Sequence, residues 1–366
     1  MENRICEKNK INGVSYAFTD AGIELPVLDI THPLFTESIN QEKLDKMLED
    51  IVKNGEKRAD KFKKMPGFIK NFLANHSYIM AGFLLKDTDD RYLSGISTLL
   101  LKLGPGFIGK GTRKLLDRLA SKSFGAVTLR MRVRDISMLQ ADLLIQPLKK
   151  EPEKGLCFVN IAGGTACDSI NTLIIIQKEY PSLLKDREIE INVLDVDTSG
   201  PAFANKCLES LKMKGACFHD LRISFRHINY NWSDPAELTE LLTKRGDWLT
   251  ICSSEGGLFE YGEDEEILQN LQSLCDNTSD DMRITGTLVR DKCTVDPALL
   301  AGMKMTTIKF RLLGIGGLIN ILRKTKWVIE RIIEENPRYI VFSLKKNTTV
   351  KQTKGSASND FKTQNL

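Results

Sequence analysis

The feature that most constrains the fold of this chain is a regular alternation of apolar and amphipathic segments from residue 155 onward. The apolar segments are typical of buried strands. The segments between them carry helix signals, such as Pro235 in a first turn and Gly215 and Gly246 at helix ends. Strands are predicted at 155–162, 188–197, 223–231, 248–254, 283–291 and 338–345, with a glycine-rich stretch at 314–317 and a helical stretch near 318–335 before the last. This rhythm predicts a doubly wound, mainly parallel α/β sheet.

Residues 1–150 lack that rhythm and read as a mostly helical region. The segment 148–155, LKKEPEKG, is typical of a linker, so the predicted units are 1–150, 151–345 and a tail at 346–366. Polar and small residues interrupt an apolar run at 89–109, which favours either a lid over a binding site or a plain helix ending in a loop. In LRMRVRD, alternating Arg130, Arg132 and Arg134 indicate a solvated charged face in preference to an anion-binding patch.

Charge and composition exclude several classes of protein. The net charge is +4, and the segment from Lys345 to Leu366 carries five lysines and one aspartate, so the rest of the chain is neutral and the lysine-rich tail is predicted to be disordered. We therefore expect no nucleic-acid partner. No apolar run approaches the about 18 residues of a membrane span. The eight cysteines and four histidines show no metal-ligand spacing, which predicts a reducing, cytoplasmic location and no metal site.

A Gly-Gly pair follows the first strand of the alternating region, in LCFVNIAGGTACDSINTL at 156–173. In open parallel sheets, ligands bind beyond the carboxyl ends of the strands, near the switch point of the sheet. Gly163 and Gly164 have no Cβ, so a ligand could approach the backbone closely at this turn. The alternative is a tight strand–helix turn that holds no ligand.

Polar residues end the next three strands at the same predicted edge. Asp197 ends VLDVD and suits a ribose diol, although it is equally placed to cap the following helix. Asn231 and Trp232 follow the third strand, where an amide and an indole face suit an adenine; ordinary turn chemistry is the alternative for Asn231. After the fourth strand come Ser253, Ser254 and Glu255.

This order of segments resembles the class I S-adenosylmethionine-dependent methyltransferases over about residues 155–345. The resemblance implies a seven-stranded Rossmann-like methyltransferase fold with an antiparallel last strand, and S-adenosylmethionine as cofactor. Against the family's acidic residue and Gly-x-Gly-x-Gly, this chain has Asn160, Ala162, Gly164 and Ala166. Asp168 is a candidate for the charge that Asn160 lacks, or a helix cap. The cofactor contacts implied in this way are Asn160, Ala162, Gly163, Gly164, Thr165, Asp168, Asp197, Thr198, Asn231, Trp232, Ser253, Ser254 and Glu255.

The resemblance implies methyl transfer to a small-molecule acceptor, which the sequence does not identify. Glu255 is the predicted general base, with Tyr261 behind it; the alternative for Glu255 is a positioning or surface carboxylate. A nicotinamide-dependent oxidoreductase is less favoured, because the helix-packing glycine of G-x-G-x-x-G is absent. The altered glycine motif leaves a second hypothesis, a catalytically inactive methyltransferase-like binding or scaffold protein. The sequence does not predict an oligomeric state.

Overall fold

A computed structural model describes residues 10–77, 95–108, 112–291 and 310–348, together with Ile5 and Ile79. Its centre is a seven-stranded sheet, preceded by a small antiparallel hairpin of β1 (Tyr16–Phe18) and β2 (Glu24–Pro26). The strands of the large sheet are β3 (Leu156–Ile161), β4 (Glu188–Leu194), β5 (Arg222–Ile228), β6 (Leu249–Ser254), β7 (Arg283–Val289), β8 (Trp327–Ile333) and β9 (Tyr339–Lys346).

The sheet order is β5-β4-β3-β6-β7-β9-β8. Strands β3 to β7 pair in parallel, and β9 pairs antiparallel with both β7 and β8. The chain leaves β3 for one edge and returns to β6 on its other side, so the switch point lies between β3 and β6. The predicted doubly wound, seven-stranded and mainly parallel sheet is confirmed.

Two details of the predicted strands are wrong. The helix expected near 318–335 ends at Leu322, and Trp327–Ile333 is strand β8. Its β-branched residues suit a strand, and the Asn336 side chain accepts from the N–H groups of Arg338 and Tyr339, which fixes the turn into β9. Strand β4 ends at Leu194, before Asp195, because the next residues fold into a turn bonded by Asp195 itself.

The helices of the carboxyl-terminal half alternate with the strands, as the sequence predicts. They are Cys167–Glu179, Ser199–Lys212, Ala236–Lys244, Leu258–Tyr261, Asp264–Asp276 and Gly314–Leu322, with a 3-10 turn at Pro181–Leu183. Before the sheet the described helices are Pro33–Thr36, Gln41–Lys63, Gly67–His76, Gly95–Leu103, Thr112–Ala120 and Phe124–Lys150.

The helix Phe124–Lys150 belongs to the core of the sheet rather than to a separate region. Its Ile136 and Leu139 pack with Val341 of β9 in one buried cluster. A larger cluster joins Leu129 and Val133 of this helix to residues of β3 and β4. The predicted boundary at residue 150 therefore falls at the end of a helix whose buried face continues the sheet's own core. The predicted disordered tail lies, from residue 349, outside the described residues.

Candidate ligand site at the carboxyl ends of the strands

A cavity of about 820 Å³ opens at the carboxyl ends of the parallel strands. Its volume lies in the usual range for ligand sites, roughly 300–1,000 Å³. It is lined by the turn after β3, the segments after β4, β5 and β6, and parts of the helices Gly95–Leu103 and Phe124–Lys150. The candidate residues that line it are Ala162, Gly163, Gly164, Thr165, Asp197, Asn231, Trp232, Glu255 and Tyr261.

The turn after β3 has an unusual backbone. Ala162, Gly164 and Ala166 have φ values of +55°, +49° and +49°, the left-handed region that favours glycine. The two alanines stand where the resemblance predicts glycines, so the turn adopts a glycine-like conformation although two of its glycines are missing. Left-handed backbone at non-glycine residues is enriched at functional sites, since surrounding contacts must hold it. Here the Ala162 N–H donates to the Leu194 carbonyl at 2.7 Å.

The Gly163-Gly164 turn has a neighbour from the amino-terminal region. A Cβ built on Gly95 would lie 2.9 Å from the Cα of Gly200 and 3.1 Å from the Cα of Gly164, so the three backbones meet where no side chain fits. The Gly95 N–H also donates to Asp197 Oδ2 at 2.9 Å. The helix Gly95–Leu103 is thereby fixed over one side of the turn, within the segment that the sequence predicts as a lid or plain helix.

The two aspartates after β4 differ in the number of hydrogen bonds that their carboxylates accept. Both oxygens of Asp197 are in use: Oδ1 accepts from Ser199 N–H and Oγ–H, and Oδ2 accepts from Gly95 and Gly200 N–H. Four bonds fill the lone pairs of a carboxylate, so Asp197 caps the following helix, the alternative that the sequence left open, and also holds the start of the helix Gly95–Leu103. Asp195 accepts one bond on each oxygen, from Gly164 N–H at 2.8 Å and Asp197 N–H at 2.9 Å.

Several candidate contacts lie beneath the turn instead of in the cavity. Asn160 is buried; its amide donates to Asp168 Oδ1 at 3.0 Å and its carbonyl accepts from Ser169 Oγ at 2.8 Å. Burial raises the pKa of Asp168, which sits at the base of helix Cys167–Glu179. The Ser254 hydroxyl accepts from Leu258 N–H. The described contacts of Asn160, Asp168 and Ser254 are thus internal, which is against a direct cofactor contact.

Ser253 and Thr198 also lie outside the lining of the cavity. Ser253 is a buried residue of strand β6, paired in register with Asn160 of β3. Thr198 is exposed and precedes the helix Ser199–Lys212 without a side-chain capping bond. Thr165 does line the cavity, and its hydroxyl lies 3.1 Å from Cys167 Sγ.

The segment after β5 forms an amphipathic wall. Tyr230 is buried and its hydroxyl donates to Asn270 Oδ1 at 2.5 Å, which fixes the strand end. Asn231 is exposed and accepts from Ser233 N–H at 3.1 Å, the turn chemistry that the sequence left as an alternative. Trp232 is half-buried, and Val196 after β4 is 58% exposed at the same cavity. These two side chains offer the apolar surfaces that a planar base requires.

Glu255 lies in a buried network of charges. Its Oε1 accepts from Arg132 Nε at 2.6 Å and its Oε2 forms an ion pair with Lys102 of the helix Gly95–Leu103. Arg132 also binds Glu260 at 3.0 Å, and Thr287 donates to Glu260 at 2.7 Å. The side chains of Lys102, Arg132 and Glu255 are 4–6% exposed. The network therefore joins the helix Gly95–Leu103, the helix Phe124–Lys150 and the end of β6.

The charges around Glu255 oppose its predicted role as a general base. Burial alone would raise the pKa of Glu255, but Arg132 and Lys102 outweigh burial and hold that pKa below its usual range. A base needs a pKa near the working pH, and a carboxylate that two cations hold in its charged form does not have one. Burial raises the pKa of Tyr261 far above the usual range, so its hydroxyl keeps its proton.

Sequence reasoning missed the partners of these groups. Arg132 was predicted on a solvated face, and the structure contradicts this: Arg130 and Arg132 are 1% and 3% exposed. Both lie in a helix, so their alternation with apolar residues does not place them on one side of a strand. Residues three apart lie on the same face of a helix, so helical spacing would have placed Arg132 beside Leu129, which also lines the cavity. No local signal indicates that Gly95 or Lys102 reaches the strand ends.

Within the described ranges, no group of three His, Cys, Asp or Glu side chains is arranged to hold a metal ion. Across the same ranges, none of the helices combines the length and apolarity needed to cross a membrane.

Comparisons with known proteins report similarity of structure and not of sequence. No protein-family model matches the chain, and no curated protein sequence matches it. A possible exported protein from Bordetella parapertussis is 13% identical, with a TM-score of 0.50 over 83% of this chain and 96% of that one. Magnesium protoporphyrin IX methyltransferase from Synechocystis PCC 6803, with bound SAH, is 12% identical, with a TM-score of 0.41 over 61% and 88% of the two chains.

The pyocyanin biosynthetic protein PhzM is 14% identical, with a TM-score of 0.39 over 61% of this chain. This chain spans 58% of the length of PhzM. At such identities a likeness concerns the fold alone. Sheet order and likeness together show that the chain has a Rossmann-like α/β fold, of the kind that its resemblance to class I methyltransferases predicts.

Proposed function

We propose that the chain binds S-adenosylmethionine in this cavity and transfers its methyl group to a small-molecule acceptor. The observation that carries the proposal is that one cavity collects the turn after β3, the carboxylate after β4 and the indole after β5. These are the three kinds of contact that the amino acid, ribose and adenine parts of the molecule require. They occur at the switch point, where ligands of doubly wound sheets bind.

The structure changes which carboxylate we assign to the ribose. Asp197 has both oxygens filled by backbone and hydroxyl donors, whereas Asp195 takes a single described bond on each oxygen. Asp195 therefore keeps lone pairs for two hydroxyls. In this assignment the amino acid part lies along Gly163 and Thr165, and the adenine lies between Val196 and Trp232.

The helix after the turn favours this ligand over a dinucleotide. Pyrophosphates bind at a helix amino terminus because its N–H groups carry partial positive charge. Here Asp168 is in the first turn of helix Cys167–Glu179 and is buried beneath the turn, and a carboxyl group so close to these N–H groups disfavours a phosphate there. S-adenosylmethionine carries no phosphate and needs no such site.

Methyl transfer is an in-line displacement: the acceptor forms a bond to the methyl carbon as the carbon–sulfur bond breaks, and the sulfur keeps the electron pair. The protein must align the two molecules and exclude water. We assign Glu255 to positioning Lys102 and Arg132 at the wall of the cavity, in place of the base role. The acceptor atom must then be nucleophilic without help from Glu255.

A second function is a binding or scaffold protein that keeps the cofactor site without catalysis. The observation that favours it is the same network: Glu255 is held by two cations and Tyr261 keeps its proton, so neither predicted catalytic group accepts one. The two functions share the cofactor site and differ only in turnover.

The proposal is tested by thermal denaturation with S-adenosylmethionine, S-adenosylhomocysteine and NAD⁺ as separate ligands. A ligand that binds only the native state raises the melting temperature as its concentration increases. We expect both sulfur ligands to raise it and NAD⁺ to leave it unchanged. A shift with NAD⁺ alone would contradict the proposal. Acceptor-dependent release of S-adenosylhomocysteine separates the enzyme from the scaffold protein.

A further inference from the structure

A second part of the cavity wall contains a cation that the proposed cofactor contacts do not use. Arg338 precedes β9 and lines the cavity together with Phe310 and Tyr339. Its guanidinium carbon lies 4.9 Å from the ring centroid of Phe310 and 5.1 Å from that of Tyr339. The Arg338 backbone is fixed, because its N–H donates to Asn336 and its carbonyl accepts from Arg290.

The Arg338 guanidinium has no polar partner among the described residues. Its Nε is buried without a hydrogen bond, and neither an ion pair nor a side-chain hydrogen bond joins it to any described group. Guanidinium groups are strong donors that normally find an anion or a carbonyl when removed from water. Arg338 therefore presents unused donors at a cavity with aromatic walls.

The nearby carboxylates do not neutralise Arg338, because they serve other cations. Glu255 binds Lys102 and Arg132, and both oxygens of Glu260 accept from Arg132. Arg338 favours the charged form of Glu260 from a distance, but both oxygens of Glu260 already accept from Arg132, so among the described residues Arg338 has no ion pair of its own. Glu263 and Glu266 also line the cavity, and they cap the helix Asp264–Asp276 through each other's backbone N–H groups.

The start of a long helix lies beside Arg338. Gly125, in the first turn of Phe124–Lys150, lines the cavity, and a Cβ built on it would lie 3.7 Å from Arg338 Nη1. Ser123 caps this helix by accepting from Ala126 N–H. The first N–H groups of a helix have no partner within it, and they favour negative charge. Two separate features, an unpaired guanidinium and a helix start, therefore favour an anion at one place.

We propose that this part of the cavity is an acceptor subsite for an oxyanion, such as a carboxylate or a phosphate ester, carried on a flat aromatic body. The oxyanion binds the Arg338 guanidinium and the N–H groups at the start of Phe124–Lys150. The aromatic body packs against Phe310, which is partly exposed at the cavity. That the bound molecule is the methyl acceptor rests on the proposed function. The anion site itself rests on Arg338 and on the helix start at Gly125 alone.

The test uses three probes that share a phenyl ring: benzoate, phenyl phosphate and the neutral benzamide. Each is titrated calorimetrically into the full chain, with and without saturating S-adenosylhomocysteine. The variants are Arg338→Gln, Arg338→Lys, and the matched control Arg331→Gln, whose arginine is 48% exposed and paired with Asp142. Benzoate and phenyl phosphate distinguish a carboxylate ligand from a phosphorylated one.

We expect at least one anionic probe to bind the parent about tenfold or more tightly than benzamide. A charge-assisted hydrogen bond typically gives a difference in affinity of this size. Arg338→Gln should abolish the preference, Arg338→Lys should restore part of it, and Arg331→Gln should retain it. Equal binding of charged and neutral probes, no binding of any probe, or an unchanged preference in Arg338→Gln would overturn the subsite. S-adenosylhomocysteine binding without any probe preference refutes the subsite alone, and probe preference without S-adenosylhomocysteine binding refutes the proposed function alone.

Discussion

Replacing Glu255 with Gln tests whether the buried charge network holds the helix Gly95–Leu103 to the sheet. Lys102 has Glu255 as its described ion-pair partner, whereas Arg132 keeps Glu260. Removing one partner of a buried pair typically costs about 3–5 kcal/mol, because the other charge stays buried without compensation. Since Arg132 keeps a partner, we expect the lower end, about 3 kcal/mol.

The loss is measured as the change in the free energy of unfolding in urea, with an unchanged dependence on denaturant. Lys102→Met should recover part of the loss when combined with Glu255→Gln, because the unpaired ammonium is removed. Glu240→Gln, which breaks an exposed pair with Lys244, is the control and should leave stability unchanged within error. A Glu255→Gln protein as stable as the parent, or two substitutions that simply add, would refute the reasoning.

The stability difference between the parent and Glu255→Gln should also depend on pH. The pKa of Glu255 is lowered in the folded state, so its stabilising contribution is present above the unfolded pKa and is lost as pH falls through the folded pKa. The stability difference between parent and Glu255→Gln should therefore be constant from neutral pH to about 5 and shrink below about 4. A difference that grows on acidification would contradict the assigned direction.

Three further substitutions test the turn and its supports. Ala162→Gly should stabilise the protein by up to about 1 kcal/mol in urea denaturation, the reverse of the usual sign, because φ is +55° there; a clear loss would contradict this. Asp197→Ala should cost about 1–2 kcal/mol, as loss of a helix cap does, and an unchanged stability would contradict the capping role. Asp168→Asn removes a carboxyl whose pKa is raised by burial, so its contribution to stability falls as pH rises from the unfolded pKa, of about 4, to the higher folded pKa; over that interval the variant should lose less stability than the parent, and an equal loss would argue against burial of the charge.

The sheet was predictable because its signals are local. Apolar runs, proline in first turns and glycine at helix ends place the five parallel strands β3 to β7. The failure at Trp327–Ile333 has a physical cause: a short apolar run suits a strand or a helix equally, and only pairing with β9 decides between them.

The site was predictable only in part because its contacts are not local. The cavity contains the turn, Trp232 and Glu255 as expected, since all lie at strand ends. The state of each group depends on residues far away in sequence: Gly95 supplies one of the four bonds of Asp197, and Lys102 and Arg132 hold Glu255 in its charged form. No sequence pattern near the strand ends predicts either set of contacts.

Binding of the cofactor at this cavity is measured by calorimetric titration of S-adenosylhomocysteine into the parent and into Asp195→Ala. Loss of charge-assisted hydrogen bonds to two ribose hydroxyls should weaken binding by about 2–3 kcal/mol, or about 30- to 150-fold. We expect saturable binding of one ligand per chain to the parent and this weakening in the variant. No binding to the folded parent, or equal binding to a folded Asp195→Ala protein, would contradict it.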